Sequence, residues 1–108
     1  MVLETLEDEL RTLEALGLGP EGAWIETGNV KGRTWRQAWW RAHTAIFTSK
    51  RSGQRTKSQY IGKAGGEKYR SAKALYQRRK RYEQLKHHIK LLETSQAQTP
   101  QSPVTIHL

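Results

Sequence analysis

The segment "QRTKSQYIGKAGGEKYR", Gln54–Arg70, alternates basic and small polar residues, reaches Tyr60 and Ile61, breaks at glycines and resumes as a basic run. Alternation with period two is the signature of a half-buried strand, and clustered glycines mark a turn. The stretch therefore predicts a strand over "RTKSQYI", a glycine turn at "GKAGG" and the start of a helix. On period two, Arg55, Lys57, Gln59 and Ile61 share one face, while Thr56, Ser58 and Tyr60 share the other. Tyr60 or Ile61 is expected to anchor the strand inward.

Upstream, "AWIET" predicts a short strand, "GNVKG" a turn and "RTWRQAWWRAH" a longer strand. In the longer strand Trp35, Gln37, Trp39 and Arg41 share one face, and Arg36, Ala38, Trp40 and Ala42 the other. With aromatics on both faces, one side is expected to meet a helix and the other to be partly exposed or covered by a partner. The connection "TAIFTSKRSGQ" carries a brief apolar cluster at Ala45, Ile46 and Phe47, read either as a prolonged strand or as a loop. It places Lys50 and Arg51 near Gly53 at the tip of a basic wing.

Downstream, no Pro or Gly occurs from Glu67 to about Thr94, and helix formers dominate. The resulting helix of about 40 Å is longer than a core of this size covers. Its upper half is expected to lie on the sheet through Tyr69, Ala72 and Tyr76. Leu75, Tyr82 and Ile89 repeat every seven residues, with Leu85 and Leu92 between them and Arg78 interrupting the seam. At the other end of the chain, "VLETLEDELRTLEAL" sets Leu3, Leu6, Leu10 and Leu13 in one stripe among Glu4, Glu7, Asp8 and Glu14. A helix of about 21 Å is too short to be stable alone. The long basic helix is its intrachain partner of matching charge, and a homodimeric coiled coil would use the same stripe.

The organisation expected is α+β: an acidic leucine helix over 1–17, a basic three-stranded sheet with its long helix over 18–94, and a disordered polar tail over 95–108. The tail's last five residues could instead add to a sheet edge or serve as a short partner motif.

The 108 residues carry a net charge of +9, very unevenly placed. Up to Val30 one basic residue faces seven acidic ones, a net of −6; from Lys31 to Lys90 eighteen basic residues face two acidic ones, a net of +16. Such a field favours polyanions. There is no cysteine, which excludes disulfides and thiolate metal or redox sites. His43, His87, His88 and His107 lack metal-ligand spacing, and "GKAGGEK" lacks the pattern of a nucleotide-binding P-loop. Its glycines read as a turn that could also dock one phosphate. No acid and base pair is set for catalysis, so the expectation is a protein with no enzymatic activity and no cofactor. Without a spanning apolar run or a signal-like start, a cytoplasmic protein with no membrane partner is expected.

Nucleic acid, DNA first and RNA as the alternative, is the partner expected, because neutralised phosphates release counterions. The candidate contacts are Arg36, Arg41, Lys50, Arg51, Arg55, Lys57 and Lys63 on the sheet and hairpin, and Lys73, Arg78 and Arg81 on the helix. Core packing is the main expectation for the aromatics, and stacking of unpaired bases on Trp39, Trp40 and Tyr60 is the alternative use. An adaptor whose basic face meets an acidic protein or a ribonucleoprotein complex is the runner-up.

The segments "AWIETGNVKGRTWRQAWWRA" and "RTKSQYIGKAG", above all "SQYIGK" at Ser58–Lys63, resemble a group of small uncharacterised proteins of prokaryotes and their mobile elements. In that group a turn with "KG", an aromatic strand and a basic strand ending in Tyr-Ile-Gly-Lys lead into a long charged helix. The longer "HTAIFTSKRSGQ" connection departs from the group's tight turn. A looser, architectural likeness is to the arm-binding domains of phage-type integrases, which present a small three-stranded sheet and a helix to DNA. The first resemblance implies the sheet-and-helix unit and little about activity, and the second adds slightly to the DNA expectation; a regulatory or accessory role is expected.

Overall fold

The structure, a computed structural model, describes residues 2–98, with side chains to 95. The fold is α+β, with two helices and a small antiparallel sheet. The elements are α1 (Val2–Leu16), β1 (Ala23–Asn29), β2 (Arg36–Ala42), β3 (Phe47–Thr48), β4 (Arg55–Thr56), β5 (Ser58–Lys63) and α2 (Glu67–Gln98). The three-stranded sheet has the order β1-β2-β5, and β3 and β4 form a separate two-stranded ribbon. The polar tail expected from residue 95 begins inside α2, and its remainder beyond 98 lies outside the described residues. Two compact units result: one of residues 18–79, and one of α1 with α2 from Lys80.

In the first unit, β2 is the central strand, and its alternation decides what is buried. Ala38, Trp40 and Ala42 point to the core together with Ala23, Phe47, Ile61 and Ala72. Three alanines on the sheet leave room for the Trp40 indole, whose ring meets Tyr76 of α2 at 6.5 Å. Tyr69, Leu75 and Tyr76 pack on this cluster. Leu75, expected in the helix-pairing seam, therefore belongs to the sheet core, because it lies three residues from the buried Ala72 on the same side of α2. The Ala45–Phe47 cluster resolves into a loop and the two-residue β3, with Phe47 buried.

The strand expected over "RTKSQYI" is two strands. The Lys57 carbonyl accepts the Ala42 N–H at 2.9 Å, so the chain jogs between β4 and β5 and a single alternation does not run through. A second irregularity follows. Trp39 pairs with Tyr60 but Ala38 pairs with Gly62, which leaves Ile61 as the extra residue of a bulge. Gly62 sits at φ +149, a conformation that side-chain-bearing residues rarely adopt. The bulge turns Ile61 into the core and leaves Tyr60 57% exposed, so Ile61 is the inward anchor.

In the second unit, Leu85 and Ile89 of α2 are buried and Leu3, Leu6, Leu10 and Leu13 of α1 are half-buried, as are Tyr82 and Leu92. The two helices are tied by Arg81, which makes a bidentate ion pair with Glu9 at 2.7 and 3.0 Å, and by the Tyr82 hydroxyl, which donates to Glu14 at 3.0 Å. The acidic stripe is thus met by its basic partner within one chain. Among the described residues no helix is long and apolar enough to cross a membrane.

Candidate nucleic-acid interface

The β3–β4 connection carries Lys50 and Arg51, and Ser49 holds it in shape. The Ser49 N–H donates to the Gln54 carbonyl at 2.8 Å, its carbonyl accepts the Gly53 N–H at 2.8 Å, and its hydroxyl accepts the N–H groups of Arg51 and Ser52 at 3.3 Å. A serine at this position supplies the acceptor that the turn's N–H groups need. The ordered tip flanks a cleft of about 580 Å³ between the ribbon, β5 and the first turn of α2. Three cations line it, Lys50, Arg51 and Lys68, beside the hydroxyl residues Thr48, Ser49, Thr56 and Ser58 and Tyr60. No carboxylate lines this cleft. Among the described residues, Lys50, Arg51, Lys57 and Lys68 also have no ion pair. Cations gathered without counter-charge repel one another, and an anion in the cleft removes that repulsion.

The other candidates are placed differently. The Arg36 guanidinium donates to the Thr27 carbonyl and hydroxyl at 3.1 and 3.0 Å, bracing β1 against β2. Arg41 lies 2.8 Å from Glu26 and over the Trp39 ring. Arg55 donates through Nε to the Ala45 carbonyl at 3.3 Å. Lys73 lies over Tyr69, Arg78 is half-buried, and Arg81 is engaged by Glu9. The Glu9 carboxyl is held below its ordinary range, mainly by the hydrogen bond from Arg81 and further by that charge, against the opposing effect of burial. The same bond holds the Arg81 pKa above its ordinary value. The "GKAGG" turn closes on itself: Gly66 N–H bonds the Lys63 carbonyl at 3.0 Å and Ala64 N–H the Arg36 carbonyl at 2.9 Å. Those amides are occupied by backbone acceptors.

The sheet face opposite the core carries a second set of groups. Register puts Glu26, Trp39 and Tyr60 in one row and Gln37 beside Lys63 in the next. The Tyr60 hydroxyl donates to Oε1 of Gln37, which is 3% exposed, and the Tyr60 ring meets Trp39 edge-on at 6.0 Å. Trp35, just before β2, is 39% exposed, with the Arg33 guanidinium at 5.5 Å and the Lys63 ammonium at 5.4 Å from its ring. Of the rings proposed for stacking, Trp40 is excluded by burial, and Trp35 takes its place as the exposed indole. Trp35 carried a sequence signal, since Arg33 and Arg36 flank it. Lys68 and Ser49 had none, because the fold alone brings a helix start to a loop tip.

Comparison with protein-family models, characterised proteins and solved structures found no match to this chain.

Proposed function

We propose that this protein binds DNA without catalysis, chiefly through the phosphate backbone, with Lys50, Arg51 and Lys68 of the hairpin cleft as its principal phosphate contacts. The observation that carries the reading is the cleft's composition: three cations and several hydroxyls, with no lining carboxylate. Lysine and arginine ammonium and guanidinium groups neutralise phosphate, and hydroxyls donate to its oxygens without reading sequence. Lys57, at the jog between β4 and β5, and Lys63, at the end of β5, add further cations. Arg36, Arg41 and Arg81 serve intrachain contacts first.

Binding of a labelled duplex, measured by anisotropy at several salt concentrations, tests this. The affinity should fall linearly on a log–log plot as salt rises, and the combined variant Lys50→Ala, Arg51→Ala, Lys68→Ala should flatten that slope by about 0.9 for each phosphate no longer neutralised. Absence of any binding to duplex or single-stranded DNA at low salt overturns the proposal. So does an unchanged slope in the variant.

A further inference from the structure

The Trp35–Tyr60 face adjoins the phosphate-binding cleft at Tyr60 and bears side chains of a different kind. We propose that it takes unpaired bases, so that the favoured ligand is single-stranded DNA, with phosphates on the cleft cations and bases stacked on Trp35 and Tyr60. The inference rests on the backbone-binding reading and specifies its strand.

The first support is exposure. Tyr60 is 57% exposed and Trp35 39%, on a sheet where Trp40 shows that an indole can be buried to 6%. The second is rigidity. Tyr60 is held at both ends, its ring by Trp39 and its hydroxyl by the buried Gln37, so its free ring surface is presented in one orientation. The third is continuity. Tyr60 borders the cation cleft as well as the aromatic face, and Lys63, in register with Gln37, reaches the Trp35 ring. A strand following these groups meets cation, ring and cation in succession, the alternation that a sugar-phosphate chain with outward bases requires. A base must displace Arg33 or Lys63 from Trp35. An exposed cation over a ring is worth only about 2- to 5-fold in affinity, against about 5- to 150-fold for a stacked base, and the displaced cation is then free to meet phosphate.

Duplex DNA hides its ring faces within its own stack, so it can use the cleft but not this face. An RNA strand offers the same rings and phosphates. Glu26 is paired with Arg41 and Gln37 is buried, so the face offers ring surface and cations rather than a reader of the 2′-hydroxyl.

The test uses the full chain with oligothymidylate of about 16 nucleotides, the upper end of the site sizes known for single-strand-binding OB folds, beside a mixed-sequence duplex and oligouridylate of the same length. Tryptophan fluorescence should be quenched by oligothymidylate and little changed by duplex. Trp35→Ala should weaken oligothymidylate binding by about 5- to 150-fold and leave duplex binding unchanged, whereas Trp35→Phe, which keeps a ring, should retain most of it. Equal affinity of wild type and Trp35→Ala for oligothymidylate, with unchanged circular dichroism, overturns the stacking proposal. Duplex bound at least as tightly as oligothymidylate, or oligouridylate preferred more than ten-fold, overturns it as well. In each of those cases salt-dependent duplex binding leaves the backbone reading standing, whereas loss of all binding removes both.

Discussion

At the scale of single residues, two contacts have sharply defined consequences. Tyr60→Phe leaves Gln37 Oε1 without its donor, and Gln37 is too buried for water to replace it. A buried acceptor stripped of its partner costs about 1–3 kcal/mol. Urea unfolding should show that loss, and the pairing of Tyr60→Phe with Gln37→Leu should recover part of it, because both partners are then apolar. Gly19 is the second position. A Cβ there would stand 3.1 Å from the Leu75 carbonyl oxygen and 3.1 Å from the Trp40 ring, while the Gly19 N–H bonds that same carbonyl at 2.9 Å. Neither neighbour is a loose side-chain end, so Gly19→Ala should destabilise by about 1–3 kcal/mol. The check is a lowered melting temperature by circular dichroism.

At the scale of elements, α1 is a 15-residue helix that cannot persist by itself in water. What holds it is the apolar stripe together with the Glu9–Arg81 and Glu14–Tyr82 bonds. Leu85, 1% exposed, is the most deeply buried large side chain described, and Leu85→Ala should cost about 2–5 kcal/mol, read as a lower urea midpoint. The ion pair adds a pH signature. Because the Glu9 pKa is lowered in the folded chain, its contribution is complete above the ordinary carboxylate value of 4.5 and is lost as the pH falls through the lowered value. Arg81, whose pKa is raised, stays charged throughout that window. Melting temperatures taken from neutral to acid pH should therefore fall more steeply for wild type than for Glu9→Gln, which has no such proton to take up. Screening by salt should narrow the difference.

At the scale of the whole molecule, the uneven charge sorts the cations into two populations. Arg81 is matched by an acid of α1, whereas Lys50, Arg51 and Lys68 line a cleft without carboxylates. Arg81→Ala should accordingly lower the melting temperature while leaving DNA affinity within about two-fold, a smaller effect than removing one phosphate-neutralising cation. The triple cleft variant should do the reverse. Anisotropy titration and a thermal melt on the same two samples separate these outcomes.

Much of this protein follows from local order in its sequence. The period-two run of β2, the leucine stripe of α1, the helix beginning at Glu67 and the charge contrast are all short-range properties, set by backbone geometry and side-chain type within a few residues. The three-dimensional packing decided the rest. The jog at Lys57 and the bulge at Ile61 depend on pairing with β2, so they alone chose Ile61 over Tyr60 for the core. Leu75 was assigned to the sheet core and not to the helix seam by what α2 lies against. Lys68 joined Lys50 and Arg51 because the hairpin and the start of α2 converge, and Glu9, one of several similar acids in α1, was selected by its position opposite Arg81. Charge and periodicity are written residue by residue, but which charges remain unpaired and which rings remain exposed depends on distances between segments remote in the chain.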